Sequence, residues 1–72
     1  MRNVLIAAGN SGDPHLVPLI EPLLRDASPL VRAMAAWALA ELAEKSAFEQ
    51  LAARFLPGET DPDVIAEWQA RA

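Results

Sequence analysis

The stretch from Ser28 to Leu42 constrains the fold more than any other part of this chain. Ser28 can cap the free amides of a first helical turn, and Pro29 suits the first helical position, where its missing N–H is no loss. Apolar residues recur at helical spacing along one stripe, formed by Val31, Met34, Ala35, Ala38 and Leu42. Further apolar residues widen the surface beyond that stripe. We therefore expect a central inner helix that is covered on more than one side, with structural elements before and after it.

Composition limits the functions that the chain can carry. Its 72 residues make one small domain or part of one, and they include no cysteine. This absence excludes disulfides and thiolate-bound iron–sulfur or zinc sites within the chain. The formal net charge of −4 argues against a free-standing polyanion-binding protein. The sequence shows neither a membrane-spanning apolar run nor a signal-peptide pattern, and we expect a cytoplasmic protein.

The first half of the chain predicts two helices before the central one. Residues 1–8 are apolar and helix-compatible, although no capping residue precedes them, and the stretch from Gly9 to Gly12 should end this helix. Asp13 and Pro14 form a second helix-start signal. An unbroken apolar stripe follows over residues 16–24, and it contains Pro18 and Pro22. Because each proline removes a backbone hydrogen bond, we expect a bent helix over residues 13–25.

The second half predicts two further helices. Ser46 should cap a fourth helix, with Glu49 completing a capping box. The apolar face of that helix is formed by Phe48, Leu51, Ala52, Phe55 and Leu56. Residues 57–60 should end it. Thr60 or Asp61 should then cap a last helix, whose apolar side carries Val64, Ile65 and Trp68.

The helices repeat along the chain. Arg2 aligns with Arg32, and the apolar residues of 16–24 align with those of 48–56, at offsets of roughly 30 to 33 residues. A period of this length made of two helices is typical of an α-solenoid. The pattern divides the chain into the second helix of a truncated repeat (1–9), a complete repeat (13–44) and a last repeat with a short final helix (46–71).

The helix-start signals resemble those of a known repeat family. Asp13-Pro14 opens one helix, and Ser28-Pro29-Leu30-Val31-Arg32 opens the next, which continues with Ala36-Trp37-Ala38-Leu39. This combination resembles a HEAT-like repeat of the phycobilisome-lyase type. The resemblance implies an all-α fold, a short right-handed α-solenoid of HEAT-like helical hairpins with about five helices.

A more specific string spans residues 2–14, Arg-Asn-Val-Leu-Ile-Ala-Ala-Gly-Asn-Ser-Gly-Asp-Pro. Together with Ser28–Arg32, Trp37-Ala38, Asp61–Val64 and Glu67-Trp68, it resembles the C-terminal end of bacterial epoxyqueuosine reductase, an enzyme of tRNA queuosine biosynthesis. In that family the catalytic domain precedes the HEAT-like region and uses cobalamin and two [4Fe–4S] clusters. The resemblance implies that this chain holds no cofactor and performs no catalysis, and that it supports the catalytic domain or tRNA docking. The alternative is a free-standing HEAT-like module for protein–protein interaction.

Candidate contact residues follow from this interpretation. Arg2, Asn3 and Arg32 are possible contacts to a partner or to tRNA, although the acidic balance predicts weak tRNA binding. For Arg32 a structural role competes with phosphate contact. Its charge opposes the helix dipole, so it should have an acidic partner such as Asp26 or Asp61.

Other conspicuous residues have structural interpretations that we favour. His15 should be an exposed residue of a first helical turn, and Glu59, Asp61 and Asp63 should cap or face solvent instead of binding a metal. Trp37 and Trp68 should lie in the core instead of stacking on bases. The amides of residues 9–12 could hold an anion, but helix termination explains these residues better.

The first helix also predicts self-association. Part of its apolar surface should pack against the helices of 13–25 and 28–44, while no polar capping repeat covers its other side. We expect Val4, Leu5 and Ile6 to form a face through which two copies pair about a two-fold axis.

Overall fold

The protein folds into helices around one central helix. The structure is a computed structural model that describes residues 2–70. Its α-helices are α1 (Arg2–Ser11), α2 (Val17–Ile20), α3 (Pro29–Leu42), α4 (Lys45–Phe55) and α5 (Pro62–Gln69). Short 3-10 helices cover Pro14–Leu16, Glu21–Arg25 and Leu56–Gly58. No strand occurs within residues 2–70, and the predicted all-α fold is confirmed.

The central helix is α3. The Ser28 hydroxyl accepts a hydrogen bond from the Val31 amide at 3.4 Å, which confirms Ser28 as the N-terminal cap. α3 packs against α1 on one side and α5 on another, and the Glu21–Arg25 turn packs against it as well. Its buried face includes four alanines, Ala33, Ala35, Ala36 and Ala38. Their small side chains allow the neighbouring helices to approach closely, as predicted for an inner helix.

The hydrophobic core joins all five α-helices. Leu5 of α1, Leu39 of α3 and Val64 of α5 are the largest of the fully buried side chains. The other large apolar side chains of the core are Ile20, Leu24, Leu42, Phe48, Leu51 and Trp68. Burial of each such side chain contributes about 1.5–3 kcal/mol, so the fold depends on a small number of apolar contacts.

The first helix ends later than the sequence predicts. It continues through Gly9 to Ser11, and Gly12 follows with a positive φ of 71°. The Ser11 hydroxyl donates to the Ala8 carbonyl at 2.6 Å, and it accepts from the Asp13 amide at 3.1 Å. Gly9 is therefore a helical residue, and the left-handed turn occurs at Gly12, where glycine carries no steric cost.

The prediction of one continuous bent helix over residues 13–25 is wrong. Asp13 does cap its start, since its carboxylate accepts from the His15 amide at 2.9 Å. The segment then alternates between a 3-10 turn, one turn of α-helix and a second 3-10 turn. Pro18 and Pro22 lack the N–H groups that a continuous α-helix would use, and this lack explains the interruption.

The start of α4 differs from the prediction, whereas α5 uses one of its two predicted caps. α4 begins at Lys45, with Glu44 as an N-terminal cap that makes no side-chain hydrogen bond. The predicted cap at Ser46 and its capping box with Glu49 are therefore wrong. α5 is capped by Asp61 and not by Thr60, because the Asp61 carboxylate accepts from the amides of Asp63 and Val64. None of the helices within residues 2–70 is long and apolar enough to cross a membrane.

Candidate functional site

An ion pair between two largely buried side chains, Arg32 and Glu59, connects the start of α3 to the turn before α5. Arg32 Nε donates to Glu59 Oε1 at 3.0 Å, and Arg32 Nη2 donates to Glu59 Oε2 at 3.1 Å. The remaining nitrogen, Nη1, donates to the backbone carbonyls of Asp26 and Ala27 at 2.8 and 3.1 Å. The guanidinium thus joins three segments of the chain with four hydrogen bonds, two of which form a bidentate pair.

The Glu59 carboxylate accepts hydrogen bonds from both a side chain and the backbone. Besides Arg32, it accepts hydrogen bonds from the amides of Thr60 and Asp61 at 3.1 and 3.0 Å. The hydrogen bonds from Arg32, helped by the Asp61 amide, lower the pKa of Glu59 below its ordinary value. The same carboxylate raises the pKa of Arg32. Both groups therefore stay charged, and their geometry is fixed by neighbouring backbone.

The structure corrects the expected partner of Arg32. An acidic partner was predicted, but neither Asp26 nor Asp61 supplies the carboxylate. Asp26 Oδ2 accepts from the Ser28 amide at 2.9 Å, and Asp61 caps α5. Both carboxylates accept hydrogen bonds from nearby backbone amides, and the acidic partner of the guanidinium is Glu59 instead.

An open cleft of about 310 Å³ lies beside this ion pair. Its lining residues are Leu24, Arg25, Asp26, Arg32, Arg54, Phe55, Gly58, Glu59 and Thr60. They come from the end of the Glu21–Arg25 turn, the start of α3 and the end of α4 with its following turn. The cleft therefore lies between the start of α3, the turn before it and the end of α4.

Two arginines of the cleft lie over one aromatic ring. The guanidinium carbon of Arg25 is 5.1 Å from the centre of the Phe55 ring, and that of Arg54 is 5.4 Å from it. Both are within the range of a cation–π interaction. The Phe55 ring is in turn nearly parallel to that of Trp68, with an interplanar angle of 4° and a centroid distance of 6.3 Å. Trp68 is buried, so the ring beneath the arginines is anchored to the core.

Sequence reasoning missed this cleft, although a signal for it exists. The repeat offset aligns Leu24 with Leu56, and in a solenoid the equivalent ends of consecutive repeats lie side by side. This alignment brings Arg25, which follows Leu24, close to Arg54 and Phe55, which precede Leu56. The candidate residues Arg2 and Asn3, by contrast, are exposed on α1 and do not line the cleft.

The three residues of the predicted self-association face differ in their exposure to solvent. Val4 is 66% exposed, Ile6 is half-buried, and Leu5 is 1% exposed within the core. The part of the prediction that places Leu5 on an outer face is therefore wrong, because α1 turns this residue toward the other helices. Pairing of two copies through the rest of that face stays a prediction.

The remaining candidate residues occupy structural positions. His15 is exposed, with Nδ1 at 3.0 Å from Asp13 Oδ1. Hydrogen bonding by the His15 backbone and side chain lowers the pKa of Asp13. Trp68 is buried as predicted, while Trp37 is half-buried and packs against the core. Within residues 2–70, no three histidine, aspartate or glutamate side chains are placed to hold a metal ion.

Comparison with known proteins agrees with the repeat architecture. The family model described as HEAT repeats matches residues 2–71, nearly the whole chain. The chain belongs to the HEAT-repeat family. Neither a curated protein nor a solved structure shows a significant match. HEAT repeats serve as scaffolds and as surfaces for protein–protein interaction, and this chain has that general character.

Proposed function

We propose that this HEAT-repeat chain is a non-catalytic scaffold in a protein of the epoxyqueuosine reductase type, where it supports the catalytic domain. The observation that carries the scaffold role is the position of α3 between α1 and α5. These three helices are the second helices of successive repeats, so one continuous core links them and leaves the outer surfaces available to partners.

The last part of the specific string at residues 2–14, residues 9–14, has structural roles that support this proposal. Gly9 admits the ring of Trp37, and Gly12 provides the left-handed turn after α1. Ser11 bonds to Ala8 and Asp13, and Asp13 caps the next turn. These residues connect and cap helices, which is consistent with a scaffold role for this segment.

The chemistry of such a protein would belong to its other domains. Cobalamin and two [4Fe–4S] clusters are implied only for the catalytic part, and this chain has no cysteine to bind a cluster. A contribution to tRNA docking through Arg2 and Asn3 would be weak. Arg32 is already bound to Glu59, and the formal charge of the chain is −4.

The second candidate function is an independent module for protein–protein interaction. Membership of the HEAT-repeat family supports it, because HEAT repeats commonly mediate protein–protein interaction. Val4, Leu19 and Leu30 are exposed at 66%, 71% and 53% and are available to such a partner. The two functions differ in what the gene encodes before Met1. A continuous reading frame with a cysteine-rich, ferredoxin-type segment supports the first, whereas a stop codon and a ribosome-binding site directly before Met1 contradict it.

Association in trans tests the scaffold role directly. The upstream-encoded region and this chain are expressed as separate polypeptides, and their association is measured by calorimetry. We expect a stoichiometric complex that Val4→Glu weakens, because Val4 is on the exposed side of α1. Ala53→Glu adds the same charge to the exposed surface of α4 and should leave binding unchanged. No association, or equal effects of both variants, would argue against docking through α1.

A further inference from the structure

We propose that the cleft lined by Arg25, Arg54 and Phe55 binds an acidic peptide segment of a partner protein. The two guanidinium groups would hold a carboxylate of the peptide beside the Phe55 ring. This site is separate from the exposed side of α1, so it depends neither on docking through α1 nor on the identity of the larger protein.

Both arginines line the same cleft and lie beside the same aromatic ring. Each guanidinium carbon lies within 5.4 Å of the centre of the Phe55 ring, and both side chains belong to exposed residues. Neither arginine forms an ion pair with another residue of the described range 2–70. A guanidinium over an aromatic ring is limited in its motion while its N–H groups stay available, and a carboxylate matches them with two hydrogen bonds.

Within residues 2–70, neither acidic residue of the cleft forms an ion pair with Arg25 or Arg54. Glu59 is engaged by Arg32 in the bidentate pair, and Asp26 Oδ2 accepts from the Ser28 amide. Among the lining residues, three arginines face two carboxylates, Asp26 and Glu59, which leaves one net positive charge. Outside the Arg32–Glu59 pair, the charged lining residues within the described range 2–70 are therefore Arg25, Arg54 and Asp26, and the two arginines account for the net positive charge.

Size and charge favour a peptide over a nucleic acid. The cleft volume of about 310 Å³ fits one or two side chains, and Leu24 and Phe55 offer apolar contact to a residue next to the bound carboxylate. One net positive charge suits a peptide that presents a small number of carboxylates. A polyphosphate chain would extend past the cleft and meet a protein with a formal charge of −4.

Fluorescence anisotropy with a labelled, end-blocked Gly-Glu-Leu-Glu-Gly peptide tests the proposal on the full chain. We expect saturable binding that weakens as salt is added, and no comparable binding of the matched Gly-Gln-Leu-Gln-Gly peptide. Arg25→Gln and Arg54→Gln should each weaken binding about fivefold. Arg2→Gln removes an exposed arginine outside the cleft and should have no effect. Circular dichroism of each variant confirms that it is folded.

Three outcomes would overturn the proposal. Equal binding of the glutamine peptide would show that carboxylates are not recognised. An equal loss in Arg2→Gln would show that only net charge matters. Displacement of the peptide by inorganic phosphate or by a ten-nucleotide RNA, at concentrations below those of unlabelled peptide, would identify a phosphate site instead. None of these outcomes bears on the docking of α1, which is measured with a different partner and different variants.

Discussion

Gly9 is required because it contacts a side chain that is distant in sequence, that of Trp37. A Cβ atom at this position would lie 2.4 Å from Cζ3 of Trp37 and 2.9 Å from its Cη2, well inside normal contact distance. Only glycine lets the indole ring of α3 rest directly on the backbone of α1. The close α1–α3 packing therefore depends on the absence of a side chain at residue 9.

Gly9→Ala should destabilise the protein. Replacing glycine by alanine in a helix is ordinarily favourable, but here the indole ring would have to move, and we expect a net loss of about 1–3 kcal/mol. Gly58→Ala is the matched control, since no atom lies within 4 Å of a Cβ there, and it should change stability by less than about 0.5 kcal/mol. Urea unfolding followed by circular dichroism measures both. Equal midpoints for Gly9→Ala and wild type would contradict the packing argument.

Glu59 should make the free energy of unfolding depend on pH in the acid range. Hydrogen bonds from Arg32 lower its folded-state pKa, so its contribution is fully present above the unfolded-state pKa of about 4.3 and is lost as the pH falls through the folded-state value. We expect the free energy of unfolding to decrease as the pH falls below about 4.3. Glu59→Gln should show a shallower decrease, and some decrease should persist because the pKa of Asp13 is lowered as well.

Arg32→Gln is the companion variant for this measurement. It removes the donor instead of the acceptor and should flatten the acid dependence to a similar extent, since both substitutions break the same ion pair. Denaturant unfolding at a series of pH values gives the profiles. Parallel profiles for wild type and Glu59→Gln over the acid range would show that the pair does not couple folding to protonation.

Helix starts show what could be predicted at the scale of the element. The sequence predicts Asp13 and Ser28 as caps and offers Asp61 as one of two candidates for α5. All three make side-chain bonds to the helix amides, because such bonds depend on residues two or three positions apart. α4 is the exception. It begins at Lys45 without a side-chain cap, so the Ser46–Glu49 pattern proved misleading.

Non-local contacts explain what could not be predicted. The local sequence predicts that Gly9 ends the first helix. Its actual role depends on Trp37 in another helix, and local patterns do not reveal that contact. The Arg32–Glu59 pair and the cleft likewise join residues that are distant in sequence, and local patterns carry no information on which of several acidic residues completes a pair. The sequence predicts that Pro18 and Pro22 bend a continuous helix. The segment instead changes to 3-10 geometry on either side of one α-helical turn.

Asp61 and Glu44 offer a controlled comparison of two helix starts. Both are acidic residues at an N-terminal cap, but only Asp61 accepts bonds from the helix amides, at 2.9 and 3.2 Å. Asp61→Ala should therefore cost about 1 kcal/mol. Glu44→Ala should cost only the smaller helix-dipole contribution, about 0.3–0.5 kcal/mol. Thermal unfolding of both variants measures the difference, and equal losses would mean that the cap hydrogen bonds of α5 add nothing beyond charge.

At the scale of the whole molecule, the repeat arrangement decides which apolar side chains stay outside. α3 is covered by α1, by α5 and by the Glu21–Arg25 turn, whereas α1 packs mainly against α3. Val4 is therefore 66% exposed although its neighbour Leu5 is buried. Leu19 and Leu30 are exposed as well, at 71% and 53%. Val4 is the exposed large apolar residue of α1 on which a contact with another surface would depend.

We expect the isolated chain to self-associate at high concentration through the exposed side of α1. Light scattering should give a mass above the 7.8 kDa of one chain as the concentration approaches the millimolar range, and two-fold pairing is the simplest arrangement. Val4→Glu should restore the monomer, because it places a charge in the contact without touching the core. Leu5→Glu is unsuitable for this purpose, since it would bury a carboxylate and unfold the protein. Ala53→Glu, on the exposed surface of α4, supplies the matched charge and should associate like wild type. A wild type that remains monomeric at millimolar concentration would show that the exposed side of α1 is tolerated in water without a partner.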